Sequence, residues 1–540
     1  MSVSPKTRRR GSHTSARREE AQETTPLLSS GPLSSSSSSS SANNVVATSA
    51  SHGTGPAPPP PSSPPSSSSS SSSDKPLPGR QIFLLCYART MEPIAFFSIF
   101  PYIAAMVQRN GHLPPSDVGF YSGLIESLFS LTQMGVLIVW GRLADRLGRK
   151  RVLVWSLAGM AVGPALFGLA TTLPQMILFR CLAGVFSGSA LIIRTMMFDH
   201  CTPRTQARAF SWFAFAGNVG ILLGPIIGGA LADPVAQYPG LFGGWAFLKR
   251  YPYAAPGFAV SAIAVTGVLT SVLFLEETLD YKDAQKTRHQ ASGGGGDNNN
   301  NNNKAERLTI WQLLRTRGIP TVLLVNGSVM IMAFAFTALL PVVLFTPVAI
   351  GGLGLSPPQI STYMAVQGLS QAVWLVGVFP RLHRRLGNKK LLTACAVAYP
   401  FFFLAYIVLN ELLRVDTPPP AAAARAWWAW AVVGPLAAVV GPGVSMAFTG
   451  VQLALNDASP DPHVMGTLNG IALTLASALR SFVPGLTTAL YAVGVREQIL
   501  RGHLAWVVLI PVSMLMLIVI PMLPNDKQPA SPANPDDEAG

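Results

Sequence analysis

From about residue 80 onward the chain repeats one pattern, an apolar run followed by a short polar break. Twelve runs can be marked, at approximately 82–106, 117–140, 152–171, 174–193, 207–232, 255–276, 319–346, 358–380, 391–412, 427–455, 463–492 and 502–523. Each is close to the roughly 20 residues that an α-helix needs to cross the ~30 Å hydrocarbon core of a bilayer. In that core every backbone N–H and C=O must be bonded within the protein, so runs of this length fold as helices. Only 12% of the residues are charged, about half the fraction usual in soluble domains. A soluble enzyme of this composition would have no surface to show water. The pattern predicts an all-α membrane protein of twelve transmembrane helices in two six-helix halves.

Net charge is +14, which in a soluble protein would suggest a nucleic-acid partner. Here the basic residues cluster in short breaks between apolar runs. Arg142, Arg146, Arg149, Lys150 and Arg151 follow the second run, and Arg381, Arg384, Arg385, Lys389 and Lys390 follow the eighth. Retention of positive charge on the cytosolic side accounts for that placement and puts both termini in the cytosol. The expected partner is the bilayer, not nucleic acid.

Two segments break the alternation. Residues 1–80 hold two serine runs around a Pro-rich piece, with too little apolar content to offset ordering entropy, and read as a disordered cytosolic tail. ETTPLL, with Glu23, Leu27 and Leu28, fits an acidic dileucine sorting signal for an adaptor, which would deliver the chain to a vacuole or lysosome-like membrane; the expected location is the vacuolar or the plasma membrane. Residues 277–318 carry GGGG and an asparagine run and read as a linker. The expected domains are 1–80, the half 81–276, the linker 277–318, the half 319–524 and a short cytosolic tail 525–540. Four scattered cysteines show no metal spacing.

The break GRLADRLGRKRVL (141–153) has a gapless echo, PRLHRRLGNKKLL (380–392), at the same place in the other half. Matching breaks in matching places suggest a duplicated carrier. The echo has Arg384 where the first copy has Asp145, so topology explains the arginines but not the aspartate.

These residues resemble the major facilitator superfamily, whose signature between helices two and three reads G-x-L-a-D-r-x-G-r-k. LFRCLAGVFSG in the fourth run, with Arg180, and GILLGPIIGG (220–229) in the fifth are similar to two further motifs of that family. FLEETL after the sixth run also fits. The fifth-run motif resembles the signature of the twelve-helix drug:proton antiporter branch, near fungal and plant tetracycline-resistance-like and zinc-induced-facilitator-like carriers. The resemblance implies a gate built from Gly141, Asp145, Arg146, Gly148 and Arg149. Asp145 would cap the start of helix eleven across the seam, favoured by the helix dipole, and Arg149 would pair with Asp199.

Ionisable residues inside a membrane are costly and read as functional. Glu92 lies about ten residues into the first run, with Arg89 one turn earlier on the same face. Glu126 lies mid-way along the second run, and Arg180 and Arg480 are the cations available to match them. A buried acid caught between desolvation and a guanidinium can bind and release a proton. Glu92, then Glu126, are the expected proton carriers. Gly220, Gly224, Gly228 and Gly229 with Pro225 form a small-residue face for close helix packing. Asn218, Asn326, Gln367, Gln371 and Trp374 are polar or aromatic candidates for a substrate cavity at mid-depth.

The expected function is secondary active transport of a small solute, by proton antiport, in a monomer with no cofactor. No phosphate-binding GxxxxGK[ST] loop is present to support ATP drive, and no catalytic constellation points to an enzyme. A second reading is a transporter-like solute sensor that signals through its cytosolic tails.

Overall fold

The structure, a computed structural model, describes residues 78–201, 203–278, 318–414, 421–457 and 462–523, all within one compact unit. The sorting motif Glu23–Leu28, most of the tail and most of the linker lie outside the described residues. Among the described residues, eleven helices are long and apolar enough to cross a membrane, and one of them, Pro357–Arg414, is a folded pair. Twelve helices result: α1 Gly79–Gly111, α2 Val118–Leu147, α3 Arg149–Gly168, α4 Leu173–His200, α5 Pro203–Leu231 and α6 Ala254–Phe274 in the first half. In the second half are α7 Ile319–Phe345, α8 (357–386), α9 (388–414), α10 Ala424–Asp457, α11 Pro462–Arg496 and α12 Leu504–Met522. The expected all-α fold is therefore present.

The basic break differs from its expected form. The sequence pattern suggests a loop over 141–151, but α2 stays helical through Leu147 and α3 starts at Arg149. Leu, Ala and Arg are good helix formers and carry the helix out beyond the apolar run. Only Gly148 (φ 102°, ψ 139°) leaves helical geometry, in a region that side chains disfavour. The echo turns in the same way at Gly387 (φ 75°, ψ 171°).

Two helices are broken inside the bundle. In α1 the break falls at Ser98–Ile99, where Pro101 cannot donate a backbone hydrogen bond to the preceding turn. In α4 it falls at Ser187–Gly188, dividing the helix into Leu173–Phe186 and Ser189–His200.

The halves meet along α2 with α11 and α5 with α8. Gly485 N donates to Ser127 Oγ (2.7 Å), and Ser361 Oγ donates to the Pro225 carbonyl (2.7 Å). Gly119 faces Tyr491 and Thr488, and Gly123 faces Thr488, so close that a β-carbon at 123 would collide. All these contacts lie toward the end of the bundle opposite the basic breaks. The last of them is Ser481 Oγ to Met134 Sδ, 3.8 Å. Beyond it, Gly135 of α2, Gly377 of α8 and Gly470 of α11 have open space where a side chain would stand. The described hydrogen bonds and close glycine contacts across the seam gather at the end opposite the basic breaks.

Candidate functional site: a buried charge cluster on the seam

Five ionisable side chains gather at mid-depth: Arg89 and Glu92 from α1, Glu126 from α2, Arg180 from α4 and Arg480 from α11. Four come from the first half and one from the second, so the cluster straddles the seam. Glu92, Glu126 and Arg180 are only 8%, 5% and 3% exposed.

Phe96 is the hinge of the arrangement. Arg480 lies over its ring at 4.3 Å and Arg180 at 5.2 Å. Arg180 also stacks on Phe129 (4.3 Å) and approaches Phe167 (6.0 Å). Aromatic faces attract a guanidinium and partly replace its lost water. Even so, Nε and Nη2 of Arg180 have no hydrogen-bond partner among the described residues. They border a cavity of ≈ 10 Å³ lined by Phe96, Phe129, Met160 and Phe167, about the volume that one water occupies. On the other side Arg89 lies over Phe213 of α5 at 4.9 Å.

The two carboxylates sit in unlike surroundings. Glu92 is held at the α4 break. Gln133 Nε2 (2.9 Å) and Ser187 Oγ (2.9 Å) donate to Oε1, while Ser189 Oγ (2.7 Å) and Ala190 N (3.1 Å) donate to Oε2. It forms no ion pair with Arg89 among the described residues. Glu126 makes no hydrogen bond or ion pair with a described residue, and Arg180 and Arg480 are the charges that face it.

At the basic end Arg149 is ion-paired with Asp199 at the end of α4. Asp145 and Arg146 are exposed, and Asp145 makes no hydrogen bond or ion pair with a described residue. The side chains at the start of α11, where the resemblance places the cap by Asp145, lie outside the described residues. Gly141 lies in ordinary contact distance of Leu191.

The glycine face of α5 packs on α1. Side chains at Gly220, Gly224 or Gly228 would collide with residues 90–98, and one at Gly229 would collide with Ser361 of α8. Pro225 supplies the carbonyl that Ser361 bonds. The polar cavity candidates are not gathered into one site. Asn218 is exposed and Gln371 half-buried. Asn326 is buried with Nδ2 unpartnered, Gln367 bonds Tyr406, and Trp374 Nε1 donates to Val439 O.

Sequence reasoning passes over Gln133, Ser187, Ser189 and Glu277. The signal for the serines was available: Ser-Gly-Ser inside a helical run is a breaker sequence. Glu277 of FLEETL accepts from Arg149 N (2.9 Å) and Lys150 N (3.3 Å), capping the start of α3. Nothing in its spacing foretells that partner, 127 residues away or more.

Comparison with known proteins places this geometry. Residues 85–484 match the family model described as Major Facilitator Superfamily. The chain is 39% identical over 450 residues to the efflux pump azaK of Aspergillus niger, covering 83% of this chain and 89% of that one. It is 27% identical to the Protein ZINC INDUCED FACILITATOR 1 of Arabidopsis thaliana, covering 73% and 80%. Among solved structures it superposes on a D-xylose-proton symporter with TM-score 0.60 at 13% identity, covering 83% and 99%.

Proposed function

Because the chain belongs to the major facilitator superfamily, and is therefore a membrane transporter, we propose that it exports a small solute by proton antiport through alternating access of its two halves. The observation that carries the reading is the charge cluster that straddles the seam between the two halves. A carrier must expose its central site to one side at a time, and an ion-coupled one must place a titratable group where the halves meet. The basic end faces the cytosol by its charge. Similarity to an efflux pump supports export, and the tight α1–α5 glycine face supports antiport by limiting proton leak. Glu92 and Glu126 are the acids available for coupling.

The test is a panel of organic solutes offered to vesicles holding the purified chain, with and without a proton gradient. Uptake of at least one solute that collapses with the gradient, and that is lost in Glu126→Gln, is the expected result. Uptake indifferent to the gradient removes the antiport reading while leaving a carrier.

A further inference from the structure

We infer that the two buried carboxylates do different work: Glu126 carries the proton, and Glu92 stays ionised as the pin of the broken helix α4. The inference rests on the proton-coupled reading above and divides it between residues.

Glu92 is surrounded by donors. Both of its oxygens accept two hydrogen bonds, and one donor, the Ala190 N–H, has no capacity to accept. Gln133 Nε2 likewise cannot accept, so a proton on Glu92 would require the hydroxyl of Ser187 or Ser189 to turn away and accept instead. The carboxylate also stands at the first turn of the twelve-residue segment Ser189–His200, where the helix dipole favours negative charge. Its partners join three helices, because Gln133 of α2 donates to Glu92 and to the Ser187 carbonyl (3.1 Å) at once. Trp140 Nε1 of α2 bonds Val185 O beside the same break, so the joint is held from both sides.

Glu126 is in the opposite position. It is buried, and no described side chain or backbone group fixes either oxygen. Arg180 of α4 and Arg480 of α11 are the charged groups that face it. From α1, Arg89 and Glu92 in turn face Arg480. Gain or loss of a proton here breaks no hydrogen bond, and it alters the pull on one arginine from each half. Of these two, Arg180 stands on α4 ahead of the break, while Asp199, which holds Arg149, stands beyond it. Glu92 is therefore a positioning residue: it keeps the two segments of α4 in register, so that a shift at Arg180 reaches the gate.

Hydrogen exchange on the full chain in lipid nanodiscs, from about pH 5 to about pH 8 and corrected for intrinsic rates, separates the two roles without a known substrate. Wild type is expected to change protection at the α2–α3 junction across that range. Glu126→Gln should abolish the change and leave the α4 break protected. Glu92→Gln, and the milder Ser189→Ala, should keep the change while exchange at Ala190–Ile193 rises on the order of tenfold. A pH response that survives in Glu126→Gln, or that vanishes in Ser189→Ala and Glu92→Gln, overturns the assignment. Unaltered protection at Ala190 in Glu92→Gln overturns the pin. A wild type indifferent to pH overturns the proton role of Glu126; gradient-driven uptake that persists in the same preparation would show that coupling itself stands with another carrier.

Discussion

The two basic breaks are tied down at equivalent points by different chemistry. In the first half, Arg149 pairs with Asp199 of α4, and the start of α3 is capped by the Glu277 carboxylate beyond α6. In the second half, Asn388 stands at the place of Arg149, and its Nδ2 donates to Gly450 O of α10 (2.8 Å). Lys389 stands at the place of Lys150, and its Nζ donates to Pro521 O (2.7 Å) and Leu523 O (2.9 Å) at the end of α12. The topology of ties is thus repeated: the third helix of each half to its fourth, and to the end of its sixth. What differs is that the first-half ties bring a carboxylate against a cation or a helix start, whereas the second-half ties run to backbone carbonyls. A charge pair weakens with salt and with protonation; the Asn388 amide–carbonyl bond does neither, while the Lys389 ammonium bonds uncharged carbonyls. The Arg149–Asp199 tie is therefore more open to change by its surroundings than the Asn388 amide bond at the equivalent place.

If the repeated turn is the common element, its two glycines should be equally intolerant. Gly148→Ala and Gly387→Ala should each cost on the order of 1–3 kcal/mol, since both force a side chain into a backbone region that disfavours one. Thermal unfolding in detergent measures this, and a cost confined to one half would break the symmetry. Next in size is the capping carboxylate. Glu277→Ala should cost about 1 kcal/mol, the usual worth of a lost cap, and the loss should shrink at high salt. Smaller still is the ion pair: a double-mutant cycle over Arg149→Gln and Asp199→Asn should give roughly 0.2–1 kcal/mol, because both side chains are partly exposed. That coupling should fade with salt, whereas the effect of Asn388→Ala should not.

How much of this was legible follows from what each feature depends on. Helix number and position depend on hydropathy and length, which are local, and the twelve runs matched twelve helices. The form of the turn is less legible, because dense charge suggests a loop over 141–151 where only Gly148 leaves helical geometry. The ionisable residues of the cluster could be named, since a charge in an apolar run is conspicuous. Their division of labour could not. Glu92 and Glu126 look alike in sequence, and only the distant serines at the α4 break and Gln133 separate them. The cavity candidates carry the weakest sequence signal, for a polar residue within a bundle serves helix–helix bonds as readily as a ligand.

The opposite end of the bundle reverses the comparison, and there the second half holds the charges. Glu411 at the end of α9 accepts from Arg501 (2.9 Å) and contacts His503 Nε2 (3.3 Å) at the start of α12. The matching junction of the first half, where Gly168 of α3 meets Tyr253 and Ala254 of α6, is backbone packing. His503 lies just outside the α12 span and is buried, with Nδ1 unpartnered among the described residues, so the neutral tautomer that donates from Nε2 suits the site. Burial holds its pKa below the usual histidine value, against the opposing pull of Glu411; Arg414 and Arg501 add to the lowering. The sign follows from linkage. The unfolded chain takes up a proton near pH 6.5, the folded one only at lower pH, so stability is full above that value and declines as pH falls through the folded pKa. The unfolding temperature should drop on acidification from about pH 8 to about pH 5, and His503→Gln should flatten that part of the slope. A slope unchanged by the substitution would place the acid sensitivity elsewhere, with the carboxylate ties of the first half as the next to test.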